Sequence, residues 1–231
     1  MNFENPLVEG IILDRYKRFL ADIKLSDNET ITAHVANTGS MTGCWQPNWP
    51  VLLSRHDNTT RKYPFSLEMT FNGKSWIGVN TSRTNKLAVE AIKSGKINQL
   101  STFDKLETEV KTGDSRLDIL LRQESTKHFI EVKNVTLKNN NGNASFPDSV
   151  TKRGQKHIKE LISLVEQGHR ATLLFIIQRE DITNFLPAKE IDPIYTSLLQ
   201  QANEKGVNIL AYKCKLNNKG ITVDQQVQCL L

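Results

Sequence analysis

Cysteine is scarce in this chain: three residues in 231, Cys44, Cys214 and Cys229, far apart and in no CxxC or Cys/His spacing. An odd, scattered set argues against a disulfide framework and a zinc site, and fits a reducing compartment. Long apolar runs are missing as well, none approaching the roughly 20 residues that span a bilayer. The opening MNFENPLVEG has neither a basic nor an apolar leader region. A cytoplasmic protein with no membrane partner is the expectation. No internal repeat or low-complexity tract is present beyond the polar loop Asn139–Asn143. The loop NTGSMTGCW, Asn37–Trp45, has no P-loop lysine, so an NTP-binding reading fails, although Asn37 and Ser40 could still line a site. No cofactor fingerprint is present either.

What is present is ordinary in amount and informative in arrangement. Hydrophobic residues make up 38% and charged residues 24%, the balance of a soluble globular chain with room for two small domains. A net charge of +5 and a pI near 9.0 lean modestly toward a polyanionic partner.

Up to about Arg83 the chain alternates apolar and polar residues at period two, in ILDRYKRFLADIKL, TITAHVAN, PVLLSRH, PFSLEMTF and KSWIGVN. Five or so short strands follow, with Asn72-Gly73 as a type I′ hairpin turn between the last two. A five-stranded OB-like β-barrel removes the edges of such a set, and a small sandwich would use the same signals. From Asn85 the period becomes helical, and helix, strand, strand, strand, helix, strand, helix, strand then follow, ending on a last strand at Val207–Lys213. That order reads as an α/β domain with a mixed sheet. The expected division is 1–84 and 85–231.

The chemistry concentrates in SRLDILLRQESTKHFIEVKNVTL, Ser115–Leu137, where Asp118, Glu131 and Lys133 sit inside apolar strand patterns. Strand alternation places Asp118 on a face with Arg116 and Leu120, and Glu131 and Lys133 on a face with Phe129. Two neighbouring carboxylates repel unless a cation lies between them, and hard oxygen ligands suit Mg²⁺ or Mn²⁺. A lysine two residues after the glutamate can orient water or steady a phosphate oxygen. Asp, about a dozen residues, then Glu-x-Lys resembles the PD-(D/E)xK nuclease core. Glu90, on the preceding helix, is placed to supply a further carboxylate, with Glu109 as the alternative. The same charges would also make an ordinary edge-strand salt bridge.

Two basic stretches complete the set. SVTKRGQKHIKE, Ser149–Glu160, opens a helix with Lys152, Arg153 and Lys156, where backbone N–H groups also favour an anion. Arg15, Lys17 and Arg18 alternate with Tyr16 and Phe19, a mix that suits tracking a strand and stacking bases, although core packing accounts for the aromatics as well. DNA is the expected partner.

PLVEGIILDRYKRFLADI, the NTGSMTGC loop, NKLAVEAI, SRLDILL, FIEVKNVTL, FPDSVTKRGQKHIKEL, LLFIIQR and IDPIYTSLL together resemble the sugar fermentation stimulation protein A family over nearly the whole chain. The resemblance implies a DNA-binding protein with an N-terminal OB-like domain and a C-terminal PD-(D/E)xK nuclease-like domain, linked by family name to sugar utilisation. Asp118, Glu131 and Lys133 fall on the family's nuclease-like positions, and Glu90 in its helix. HVANTGSM departs from the Cys-Pro pair expected in many relatives, and Asn48 stands where glycine is usual.

Overall fold

Two six-stranded sheets divide the chain in the computed structural model, which describes residues 1–57, 60–113 and 115–231. The first contains β1 (Val8–Tyr16), β2 (Leu20–Leu25), β3 (Thr30–His34), β4 (Pro50–Arg55), β5 (Phe65–Phe71) and β6 (Trp76–Gly78), in the order β3-β2-β1-β4-β5-β6. A parallel pairing of β3 with β5 at His34 and Ser66 closes the first five into a barrel, so no edge is left between them. Alternation fills the interior: Ile12, Ala21, Ile23, Ala33, Leu53 and Leu67 are all buried. Gly10 lets β2 approach closely, since a Cβ there would lie 2.5 Å from Ile23 Cγ2.

The expected type I′ hairpin at Asn72-Gly73 is a four-residue connection instead. Phe71 pairs with Trp76, and Gly73 alone of the two takes a positive φ, 85°. The Asn72 side chain shapes the loop by accepting the Lys74 and Ser75 N–H groups at 3.0 and 2.9 Å.

The second unit begins with helix α1 (Thr84–Lys93). Strands β7 (Lys105–Thr112), β8 (Ser115–Gln123) and β9 (Thr126–Val135) follow, then β10 (Ala144–Phe146), α2 (Lys152–Glu166), β11 (Arg170–Ile177), β12 (Phe185–Pro187), α3 (Pro193–Glu204), β13 (Asn208–Asn217) and β14 (Gly220–Val227). The main sheet runs β14-β13-β11-β9-β8-β7, parallel in its centre and antiparallel at both sides. Helix α1 covers one face, packing Leu87, Ala88, Ala91 and Ile92 against Ile119, Ile130, Leu174 and Leu210. Helices α2 and α3 cover the other with Ile158, Leu161, Tyr195 and Leu199 against Leu120, Phe129, Leu173 and Phe175. With both faces covered, β11 reads as a continuous apolar run.

Helices α2 and α3 are capped at both ends. Thr151 accepts the Gly154 N–H at 3.0 Å, Asp192 accepts the Tyr195 N–H at 2.9 Å, and Gly168 and Gly206 leave α2 and α3 at positive φ. Strand β14 lies beyond the expected last strand, because its alternation of Ile221, Val223 and Val227 is broken by the exposed Gln225.

The barrel meets the second unit along β6: Gly78 N–H donates to Gln178 O at 2.8 Å, and Asn72 Nδ2 donates to Asp181 at 3.0 Å. Asp181 also binds Arg179 and Lys138, and these partners overrule burial to hold its carboxyl well below the usual range. No helix among the described residues is long and apolar enough to cross a membrane.

Candidate active site at the parting of two strands

The β8–β9 ladder ends at the pair Ile119 and Ile130. Two residues further on, the next backbone donor on that side of β9, Val132 N–H, is taken by a side chain: it donates to Asp118 Oδ2 at 2.8 Å. The rung between Glu109 and Asp118 is likewise absent from the β7–β8 ladder, and Glu109 holds a φ of 56°. Alternation in β8 breaks at this point. Leu117 and Leu120 face α2 and α3, whereas Ile119 and Leu121 face α1. Asp118 therefore leaves the regular face shared with Leu120 that strand periodicity predicts, and its second oxygen accepts from Asn85 Nδ2 on α1 at 2.8 Å.

Glu131 keeps the predicted face and is buried beneath α2, with its side chain 4% exposed. Its Oε1 accepts from Lys133 Nζ at 2.5 Å and pairs with His157 Nδ1 of α2. Lys133 Nζ also lies 3.4 Å from His157 Nδ1. The other carboxylate oxygen, Oε2, is buried with no hydrogen-bond partner. Such an atom is costly to leave bare, because the lost solvation of a buried acceptor is worth about 1–3 kcal/mol and more for a charged one.

The two carboxyls are pushed in opposite directions. Burial first, and the Glu131 charge second, raise Asp118 above its ordinary value, against the hydrogen bonds from Val132 and Asn85. Burial alone would raise Glu131 too, but hydrogen bonds from His157 and Lys133, with the Lys133 charge, hold it below its ordinary value. The two acids thus sense each other's charge, one compensated by cationic partners and the other not.

Of the residues that the sequence spacing singles out, Glu131 and Lys133 are in direct contact, and Asp118, turned toward α1, lies within electrostatic reach of both. Glu90 does not join them: its half-exposed carboxylate accepts from the Met1 amino group at 2.6 Å. Residues five apart on an α-helix stand about 140° apart around its axis, so Asn85 and Glu90 cannot serve one site from one face. The alternative, Glu109, is exposed and lies 3.8 Å from Arg116. His157 and Asn85 are the residues sequence reasoning missed. A histidine in a basic helix start and an amide in a first turn carry no signal until the helices are docked.

The basic stretches divide. Lys17 and Arg18 are exposed in the β1–β2 turn at φ of 50° and 65°, and Lys152, Arg153 and Lys156 are exposed along α2. Arg15 instead has a structural task. Its Nη2 donates to Arg18 O, Asn37 O and Gly39 O at 2.6, 2.9 and 3.0 Å, tying the turn to the NTGS loop. Tyr16 is anchored by its hydroxyl, which donates to Asp22 at 2.9 Å.

The residues also bear on a divalent cation. Asp118 and Glu131 are hard oxygen donors, and the orphaned Glu131 Oε2 together with the raised Asp118 fits a missing positive charge. Among the described residues no group of three His, Cys, Asp or Glu side chains could hold a metal, so two carboxylates are what the protein offers.

Fold and site define a class: a closed OB barrel joined to a mixed-sheet α/β domain with a carboxylate pair and a lysine where two strands part. The description "SfsA N-terminal OB domain" matches residues 13–79, and "Sugar fermentation stimulation protein RE domain" matches 82–220. The chain belongs to the sugar fermentation stimulation protein family. It is 46% identical over 232 residues to a sugar fermentation stimulation protein homolog of Citrifermentans bemidjiense, covering all of both chains. It is 48% identical to the Shewanella baltica homolog, covering 97% of each. The structure of Pyrococcus furiosus SfsA in complex with Ca²⁺ superimposes with a TM-score of 0.88 at 27% identity, over 100% of this chain and 98% of that one.

Proposed function

We propose that the protein binds DNA and carries a divalent-metal-dependent phosphodiesterase site of PD-(D/E)xK nuclease type at Asp118, Glu131 and Lys133. The observation that carries this reading is the bare Glu131 Oε2, buried within electrostatic reach of a second carboxylate. The Ca²⁺ bound by the Pyrococcus furiosus relative supports it. Asp118 and Glu131 would hold Mg²⁺ or Mn²⁺, and such an ion supplies charge neutralisation at a phosphodiester and a more acidic bound water.

The remaining tasks belong to the protein's own groups. Asn85 and Val132 N–H fix the Asp118 carboxylate in one orientation, and His157 holds Glu131 Oε1 so that Oε2 keeps its direction. Lys133 carries a cation beside the carboxylates, where it offsets charge developing on a phosphate oxygen. Lys17, Arg18, Lys152, Arg153 and Lys156 supply backbone contacts on the barrel and on α2. The deciding experiment pairs Mn²⁺ titration by calorimetry with a plasmid-nicking assay, on wild type and Asp118→Asn. Metal binding and nicking that are both lost in the variant support the proposal. Unchanged Mn²⁺ affinity in the variant removes the metal site.

A second reading rests on Glu90 being turned away. With two acidic ligands rather than three, the same residues could serve a DNA-binding regulator that holds a metal and cleaves nothing. Metal binding without nicking on any DNA form selects it.

A further inference from the structure

Beyond Lys133, β9 runs out against the barrel, and between the two units lies a cavity of about 200 Å³. Asn37 and Gly39 of the NTGS loop form one wall, and Asn134, Thr136, Ser145, Phe146 and Asp148 form much of the other. The walls are joined by Ser40 Oγ, which donates to Asp148 Oδ2 at 3.3 Å. Gly39 is needed for that approach, because a Cβ there would lie 2.5 Å from the same oxygen.

Three of the lining residues are more than nine-tenths buried: Asn37 and Ser145 are 6% exposed and Thr136 is 7% exposed. Asn37 spends its side-chain oxygen on the Gly39 N–H at 2.9 Å. Among the described residues, no hydrogen bond within the protein occupies Asn37 Nδ2, Thr136 Oγ1 or Ser145 Oγ. These polar atoms line the void without being sealed from solvent, so the row presents free donors and hydroxyls to a molecule that enters it. The void is smaller than the roughly 300–1,000 Å³ pockets that take drug-sized ligands, which limits the occupant to a single small ring. Its lining includes one charged side chain, the acidic Asp148, so it does not suit a phosphate. Donors, hydroxyls, a carboxylate and one aromatic ring are the means by which proteins read the edge and face of a base.

We propose that this slot receives the extruded base of a bound nucleic-acid strand and prefers cytosine, a single ring bearing an exocyclic amine, over thymine. The inference rests on the nucleic-acid reading above. The Asp148 carboxylate accepts from the amine, while thymine offers carbonyl oxygens there and meets like polarity. Asn134 adjoins Lys133 in β9 but projects to the opposite face, so a strand whose phosphate sits at Lys133 must cross the end of β9 to place a base in the slot.

The test is fluorescence anisotropy with labelled dC12 and dT12 in EDTA, so that nothing is cleaved, on wild type, Asp148→Ala and Thr136→Val. Wild type should favour dC12 by about tenfold, the discrimination of one good base contact. Asp148→Ala should bring dC12 to the level of dT12 and leave dT12 unchanged, and the isosteric Thr136→Val should lose part of the preference. Equal binding of both oligonucleotides by wild type, or an equal loss of both in Asp148→Ala, overturns the slot. If neither oligonucleotide binds, the DNA reading falls, and the slot is then judged by thermal shift with millimolar cytidine, thymidine and a free hexose. A shift with cytidine that is absent in Asp148→Ala retains it, and no shift with cytidine, or a shift with the hexose alone, overturns it.

Discussion

Asp118 accepts the Val132 backbone N–H at 2.8 Å, where β8 and β9 have already separated. One side chain thus replaces a ladder hydrogen bond and, by doing so, sets a carboxylate within electrostatic reach of Glu131. The arrangement makes the acid both a structural acceptor and a source of electrostatic cost, and the two effects are separable by substitution.

Asp118→Asn should lower Mn²⁺ affinity by tenfold or more while leaving the metal-free protein within about 1 kcal/mol of wild type. The lost acceptor costs about 1 kcal/mol and the relieved repulsion offsets it. Because the folded-state pKa of Asp118 is raised, its contribution to stability is present below the usual carboxylate pKa and is lost as pH rises through the folded value. Urea melts without metal should show that loss above pH 4 in wild type and not in the variant. Parallel pH profiles would contradict the assignment.

Lys133→Met should abolish nicking, by a hundredfold or more, and leave Mn²⁺ affinity equal or higher. The substitution removes a cation that competes for Glu131 without removing a ligand. Calorimetry beside the nicking assay reads both quantities, and a parallel fall in the two would make Lys133 a scaffold for Glu131 only.

His157→Ala should destabilise the protein at pH 7 by about 1–3 kcal/mol, because a buried carboxylate loses a partner. Glu131 has a depressed pKa in the fold, so its contribution is present above the ordinary glutamate value and is lost as pH falls through the folded one. The wild-type advantage over the variant should therefore shrink under acid. An advantage that stays constant down to pH 3 would show that His157 acts through packing alone.

His128 gives a second acid-sensitive element, away from the site. It is buried, within 2.7 Å of Thr172 Oγ1, and burial pushes its pKa down to about 4. The neutral ring is favoured in the fold, so stability should be full above the ordinary histidine pKa and fall toward pH 4. The slope approaches about 1.4 kcal/mol per pH unit. Denaturant melts at half-unit steps on wild type and His128→Gln would show this slope in wild type only, and NMR of the ring should find it neutral at pH 5.

The basic residues should also separate into two groups. Lys17→Ala with Arg18→Ala should weaken DNA binding and flatten its salt dependence by about 0.9 log unit for each phosphate that is no longer neutralised, with little change in melting temperature. Arg15→Ala should instead lower the melting temperature, since three carbonyls lose their donor. Salt-titrated anisotropy and thermal melts on both variants check this, and a normal melting temperature in Arg15→Ala would return that residue to the binding surface.

Much was legible from local pattern alone. Period-two alternation before Arg83 and helical period after Asn85 follow from which faces of each element are buried. Asp118, Glu131 and Lys133 stand out because charges inside apolar strands are expensive, so that their presence asks for a reason. What only the tertiary structure decided depends on groups far apart in sequence. Barrel closure at His34 and Ser66, the parting of β8 from β9, Asn85 rather than Glu90 toward Asp118, and His157 on Glu131 all depend on how helices and strands dock. Docking angles are set by packing over the whole core, and no spacing along a single segment encodes them.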